Sequence, residues 1–107
     1  MELHQMKCEP CEVGGTPMPS EDVRRNLEKI PGWSLNGKKI EREFVFKDFV
    51  EAMKFVNMVA EIAEGEGHHP DLHVHWNKVL VELWTHSMGG LSENDFIVAA
   101  KINRLEV

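Results

Sequence analysis

The sequence predicts an α+β domain: a four-stranded antiparallel sheet with helices packed on one face, in the order α-β-β-α-β-β-α. Three observations carry this. Asn36-Gly37 separates two short apolar-containing segments, and this dipeptide accepts the positive φ that tight hairpins need. Residues 78–86 alternate strictly, with Val79, Val81, Leu83 and Thr85 on one side and Leu80, Glu82, Trp84 and His86 on the other. Residues 49–64 carry apolar side chains at helical spacing over well more than half of the helix circumference. Strands that meet in hairpins pair antiparallel, which leaves one sheet face for the helices.

Each element follows from local chemistry. Residues 1–19 contain Gly14-Gly15 and three prolines without apolar periodicity, and read as a flexible N-terminal extension. The folded domain is expected over residues 20–107. Ser20 is a suitable N-cap for a short helix with Glu21 and Asp22 in its first turn, ending before Pro31-Gly32. The first hairpin spans residues 33–46. Asp48 caps the long helix, with Phe49, Met53, Val56, Ala60 and Ala63 on one face and Phe55, Met58 and Ile62 on a second. A sheet covers only one such face, so the other is expected to meet a second subunit. Gly65 and Gly67 end this helix. Residues 72–76 and 78–86 form the second hairpin around a turn near Asn77, and Gly89-Gly90 breaks the chain before a last helix that opens at Ser92-Glu93-Asn94-Asp95.

At 107 residues the chain is one domain, long enough to bury its own core. A net charge of -6, without any Lys/Arg run, disfavours a nucleic-acid partner. No stretch has the ~18 apolar residues of a membrane span, and the polar residues 1–12 lack the apolar centre of a signal peptide. The expected location is the cytoplasm, where Cys8 and Cys11 stay reduced.

The chemistry-bearing residues concentrate in residues 64–95. Five of the six histidines, His68, His69, His73, His75 and His86, fall there. Histidine gives and takes protons near neutral pH, so a histidine cluster flanked by Glu64 and Asp95 points to proton transfer. Each residue also has a plainer reading. A His pair in a Gly/Pro loop is ordinarily solvated, Asp95 completes a capping box with Ser92, Glu64 sits at a helix end, Pro70 stops a helix, and Trp76 and Trp84 are packing residues. His73 and His75 share a strand face and read as structural or rim residues. Metal binding by His73-x-His75 lacks a familiar ligand spacing, and Cys8-x-x-Cys11, with His4 nearby, supplies only half of a zinc site in the least ordered segment and reads as a thiol pair. No phosphate loop, nucleophile elbow or dinucleotide fingerprint is present.

Together, Glu64, His68-His69-Pro70, Trp76, His86 and Asp95 resemble the motif of the pterin-4a-carbinolamine dehydratase family: an acid, His-His-Pro, an aromatic, a further His, and an Asp in the next helix. The stretches 46–49, 77–79, 85–86 and 90–93 are similar to that family as well. The resemblance covers residues 20–105. The extension with its Cys pair and the segment Leu72-His73-Val74-His75 depart from the pattern, the latter where the family is rich in aromatics.

The resemblance implies a hydro-lyase that dehydrates 4a-hydroxytetrahydropterin to quinonoid dihydropterin in tetrahydrobiopterin recycling, by acid–base catalysis and without cofactor or metal. It implies His68 and His86 as the acid–base pair, His69 orienting the pterin, and Glu64, Pro70, Trp76 and Asp95 as substrate-binding or supporting residues. It also implies a homodimer or homotetramer. The competing classes are a protein-interaction module, since animal relatives serve as dimerisation cofactors of a homeodomain transcription factor, a metal-dependent hydrolase, and a dehydratase for a different reduced pterin.

Overall fold

A computed structural model describes residues 1–9 and 15–106. Helix α1 spans Ser20–Leu27, strands β1 and β2 span Ser34–Asn36 and Lys39–Val45, helix α2 spans Phe49–Glu66, strands β3 and β4 span Asp71–His75 and Lys78–Leu83, and helix α3 spans Glu93–Asn103. The four strands form one antiparallel sheet in the order β1-β2-β4-β3. The predicted α+β class is the class observed.

The register assigns the two faces. Ile40 lies opposite Leu83, Arg42 opposite Val81 and Phe44 opposite Val79, while Leu72 and Val74 of β3 face Val81 and Val79. Ile40, Val79, Val81 and Leu83 are fully buried against Ala52, Phe55 and Val59 of α2 and Phe96, Val98 and Ala99 of α3. Phe55 anchors this layer, with Phe44 and Phe46 at ring centroid distances of 4.6 and 5.0 Å. Burying one such side chain contributes about 1.5–3 kcal/mol.

Several boundaries move relative to expectation. Pro19, not Ser20, occupies the N-cap of α1, and its carbonyl accepts from Asp22 and Val23. Asn36 belongs to β1, so the hairpin turn is Gly37-Lys38, with positive φ at Gly37. In the second hairpin Trp76 takes the left-handed conformation, φ 48°, and Asn77 instead ties the turn to the residue that follows β2, through reciprocal bonds with the Phe46 backbone. Helix α2 continues through Gly65 and ends only at Gly67, whose φ of 66° forms the left-handed cap. Strand β4 stops at Leu83, where its pairing with Ile40 of β2 ends, one residue beyond its last pairing with β3 at Glu82.

The buried stripe of α2 is Ala52, Phe55, Val59 and Ala63. It draws one residue from each expected face and adds two small residues that the grouping omitted. A broad apolar arc does not by itself locate its own centre, and packing against the sheet does. Phe49 and Val50 remain 50% and 64% exposed.

The N-terminal lead-in carries more packing than its composition suggests. Leu3–Gln5 make a 3-10 turn with Leu3 buried, and the Met18 amide donates to the Leu91 carbonyl at 2.8 Å. Cys11, the second member of the Cys pair, and Gly14 lie outside the described residues.

Candidate active site

Two glycine-cornered turns place the histidines. At the end of α2 the left-handed Gly67 reverses the chain, and the His68 amide donates back to the Ala63 carbonyl at 3.3 Å. Pro70 follows His69 and holds it extended, so that β3 begins directly after it. Across the sheet, Thr85 and Gly90 form an isolated bridge, with the Thr85 amide 2.8 Å from the Gly90 carbonyl. The bridge pinches off a 3-10 turn, His86–Met88, that presents His86 at its first position. A β-carbon added to Gly90 would lie 2.9 Å from the Pro17 side chain, so this corner has room only for glycine.

His68, His69 and His86 line one cleft of about 310 Å³, together with Trp84, Thr85 and Asn94. Gly67, Ser87 and Glu9 complete its wall. The volume suits a small bicyclic ligand.

Asp95 lies behind the cleft with no solvent exposure. Its Oδ1 is 2.6 Å from His68 Nε2, and its Oδ2 accepts from Thr85 Oγ1 at 2.8 Å and the Ser92 amide at 2.9 Å. A carboxylate only accepts, and this fixes the neighbouring protons. Thr85 donates its hydroxyl proton to Asp95. The Ser92 hydroxyl, 2.7 Å away, therefore donates to Thr85, while its oxygen accepts from the Asp95 amide in a capping box. A neutral His68 imidazole in this contact carries its proton on Nε2, which leaves Nδ1 as a hydrogen-bond acceptor. The capping role expected of Asp95 and its pairing with a histidine thus coexist in one carboxylate.

The other predicted residues occupy different surroundings. His69 Nε2 is 2.6 Å from Glu64 Oε2, and both side chains are exposed. Glu64 and Pro70 line an adjoining shallow apolar depression rather than the cleft itself. His86 packs against Trp84, with ring centroids 4.0 Å apart, and Lys39 Nζ lies 5.9 Å from the Trp84 centroid. Trp76, predicted to bind substrate, sits in the β3–β4 turn, at the far end of β3 from Pro70, 67% exposed and away from the cleft lining. His73 pairs with Glu82 on the outer sheet face. Among the described residues no three His, Cys, Asp or Glu side chains gather into a group able to hold a metal.

Sequence reasoning did not identify Glu9 or Asn94. The Glu9 amide donates to Asn94 Oδ1 at 3.0 Å, and Asn94 Nδ2 donates to the Glu9 carbonyl at 2.6 Å. One residue earlier, the Cys8 amide donates to Glu66 Oε1 at 2.8 Å, and Glu66 also pairs with Lys101 at 3.6 Å. The Cys8 amide first, and then Lys101, hold the Glu66 carboxyl below its ordinary value of 4.5, against the opposing cost of burial. Burial, followed by the adjacent Glu66 charge, pushes the Cys8 thiol up to about 12.

Comparisons with known proteins give the family. Residues 16–105 match the family model described as pterin 4 alpha carbinolamine dehydratase. A protein of Dechloromonas aromatica named "Putative pterin-4-alpha-carbinolamine dehydratase" is 45% identical over 96% of this chain and 92% of its own length. Pterin-4-alpha-carbinolamine dehydratase 2, mitochondrial, of Arabidopsis thaliana is 46% identical over 99% of this chain and 60% of its own length. A crystal structure titled as a transcriptional coactivator/pterin dehydratase from Brucella melitensis superposes with a TM-score of 0.78 at 36% identity, covering 82% of this chain and 96% of that one. The family match over most of the chain and the extended similarity to these relatives assign the chain to the pterin 4 alpha carbinolamine dehydratase family.

Proposed function

We propose that this chain, a hydro-lyase by its family, dehydrates 4a-hydroxytetrahydropterin to quinonoid dihydropterin by histidine acid–base catalysis, as a step in tetrahydrobiopterin recycling. The carrying observation is the convergence of His68, His69 and His86 on one cleft from two separate turns. In the reaction a ring nitrogen loses a proton, its electron pair forms the new double bond to C4a, and the 4a-hydroxyl leaves as water. Hydroxide is a poor leaving group, so one group must protonate it while another takes the nitrogen proton. The Asp95 bond supports giving His68 the base role, since it turns the Nδ1 lone pair outward from the carboxylate. His86, held against Trp84, then supplies the proton to the hydroxyl. His69 orients the pterin. Positioned acid–base groups contribute about 10²–10⁴-fold each.

The test is the turnover of a synthetic carbinolamine. His68→Ala and His86→Ala should each lower kcat by about 10²–10⁴-fold with little change in KM, the double variant should approach the uncatalysed rate, and His69→Ala should raise KM. Full activity in the double variant would remove both residues from the mechanism.

The proposal includes a homodimer or homotetramer. The half-exposed Phe49 and Val50, with Val45 also exposed, support an apolar contact with another chain. A strictly monomeric mass by sedimentation at micromolar concentration would remove it. A cytoplasmic location belongs to the same reading, and a reducing compartment suits the free Cys8 thiol. Among the described residues no helix is long and apolar enough to cross a membrane.

A second reading, a protein-interaction module, draws on the Brucella title, which names that protein a transcriptional coactivator as well as a pterin dehydratase. Carbinolamine turnover separates the two, because a pure interaction module has no use for His68 and His86.

A further inference from the structure

A pterin presents, on the side away from its reacting centre, the 2-amino group and the neighbouring ring N–H: two adjacent donors that call for a two-pronged acceptor. Carboxylates meet that geometry. Among the described residues three carboxylates lie in or around the cleft, and two are already engaged. Asp95 is fully buried behind His68, and its two oxygens accept three bonds. Glu64 is paired with His69, is 79% exposed at its side chain, and does not line the cleft. Glu9 does line it, and its carboxylate has no hydrogen bond or ion pair to any other described residue.

Glu9 is also held in place. Its backbone amide and carbonyl are both bonded to the Asn94 side chain, a residue 93% buried and adjacent in sequence to Asp95. The preceding Cys8 amide is fixed on Glu66 at the end of α2. The arm of residues 1–9 is therefore docked on the same two elements that hold His68, with Glu9 in the cleft lining and its carboxylate unbonded among the described residues. This arm lies before residue 16, where the family match begins.

We propose that Glu9 is a substrate-binding residue that accepts the two N–H donors of the pterin pyrimidine edge, with Asn94 positioning the arm that carries it. The inference rests on the pterin reading above. It gives the N-terminal arm a part in binding and none in the proton transfers.

The experiment uses the full chain with Glu9→Gln, which keeps the size of the side chain but places an amide N–H against the ligand donors. Steady-state dehydration of 6-methyl-4a-hydroxytetrahydropterin is measured alongside the equilibrium binding of 7,8-dihydropterin and of its analogue lacking the 2-amino group. Wild type should prefer the amino-bearing ligand, and Glu9→Gln should raise KM roughly 10- to 100-fold, with kcat within about twofold. The variant should also lose most of the preference between the two ligands, which a general loosening of the fold would not produce. Circular dichroism should be unchanged, since the replaced carboxylate bonds to no described residue. Asn94→Asp, which keeps the acceptor for the Glu9 amide and removes the donor to its carbonyl, should give a smaller change of the same pattern. A Glu9→Gln variant with wild-type KM and an intact preference for the amino group would overturn the assignment. Failure of wild type to bind or turn over any pterin would overturn the pterin reading itself, and this inference with it, an outcome visible before any variant is made.

Discussion

His68 Nε2 and Asp95 Oδ1 stand 2.6 Å apart, and the aspartate in this pair has no exposure to solvent. Asp95→Asn should keep the fold, because the amide oxygen can still accept from Thr85 and Ser92. Its NH₂ would then face His68 and force the imidazole proton from Nε2 to Nδ1, which removes the acceptor from the cleft. Activity should fall by about 10²–10⁴-fold in kcat with KM nearly constant. Asp95→Ala, in contrast, strands three donors and should cost about 3–5 kcal/mol in urea unfolding.

The pair formed by Glu64 and His69 should behave differently. Both side chains are exposed, so the bond is weak in water. Glu64→Gln should change KM by less than about fivefold and leave the denaturation midpoint unmoved. A kcat loss comparable to that of His68→Ala would place Glu64 in the proton-transfer machinery.

Trp76 holds a left-handed backbone, φ 48°, which is unfavourable for a bulky L-residue. Since the side chain is largely exposed, little burial is lost on replacing it. Trp76→Asn should raise stability by about 0.5–1 kcal/mol and leave KM unchanged. A rise in KM would restore Trp76 to the binding site.

The Cys8 thiol should be inert in the folded chain. With its pKa raised from the ordinary 9.0 to about 12, the reactive thiolate is about a thousandfold scarcer at pH 8. Iodoacetamide labelling followed by peptide mass measurement should show Cys8 protected until denaturant is added.

Glu66 gives a prediction for acid. Its pKa is lowered in the folded state, so the stabilisation it contributes is present above about 4.5 and is lost as pH falls through the lower folded value. Wild type should exceed Glu66→Gln in stability at pH 6 and lose that advantage below pH 4.5. Parallel unfolding curves across that window would show that the Cys8 amide and Lys101 do not favour the charged form.

How much was readable in the sequence depended on how local the cause was. Alternation in β4 placed Val79, Val81, Leu83 and Thr85 on the buried face, where all four are found. The Asp48 cap on α2 is present, with its carboxylate accepting from the Glu51 amide. The same local logic missed by one residue at Ser20 and Asn36, and it carried β4 through to His86 because alternation cannot reveal where neighbouring strands run out. The histidines and Asp95 came from a motif, and the convergence of His68, His69 and His86 on one cleft, with Asp95 behind it, was legible. The separation of Trp76 from the cleft was not, since a linear motif does not say that β3 carries its last residue away from its first. Glu9 was hidden for the opposite reason. Its contact with Asn94 joins residues 85 apart, inside a segment whose composition gives no periodic signal.

Asp95 closes the first turn of α3 and grips His68 with the same carboxylate. The two functions therefore share one opening event: any fluctuation that frays this helix end also releases the imidazole. The exchange lifetimes of the Ser92 and Asp95 amide protons become a gauge of the histidine cleft, readable without any ligand. An engineered change that tightens the end of α3 would narrow the conformational freedom of His68, though the two lie 27 positions apart along the chain.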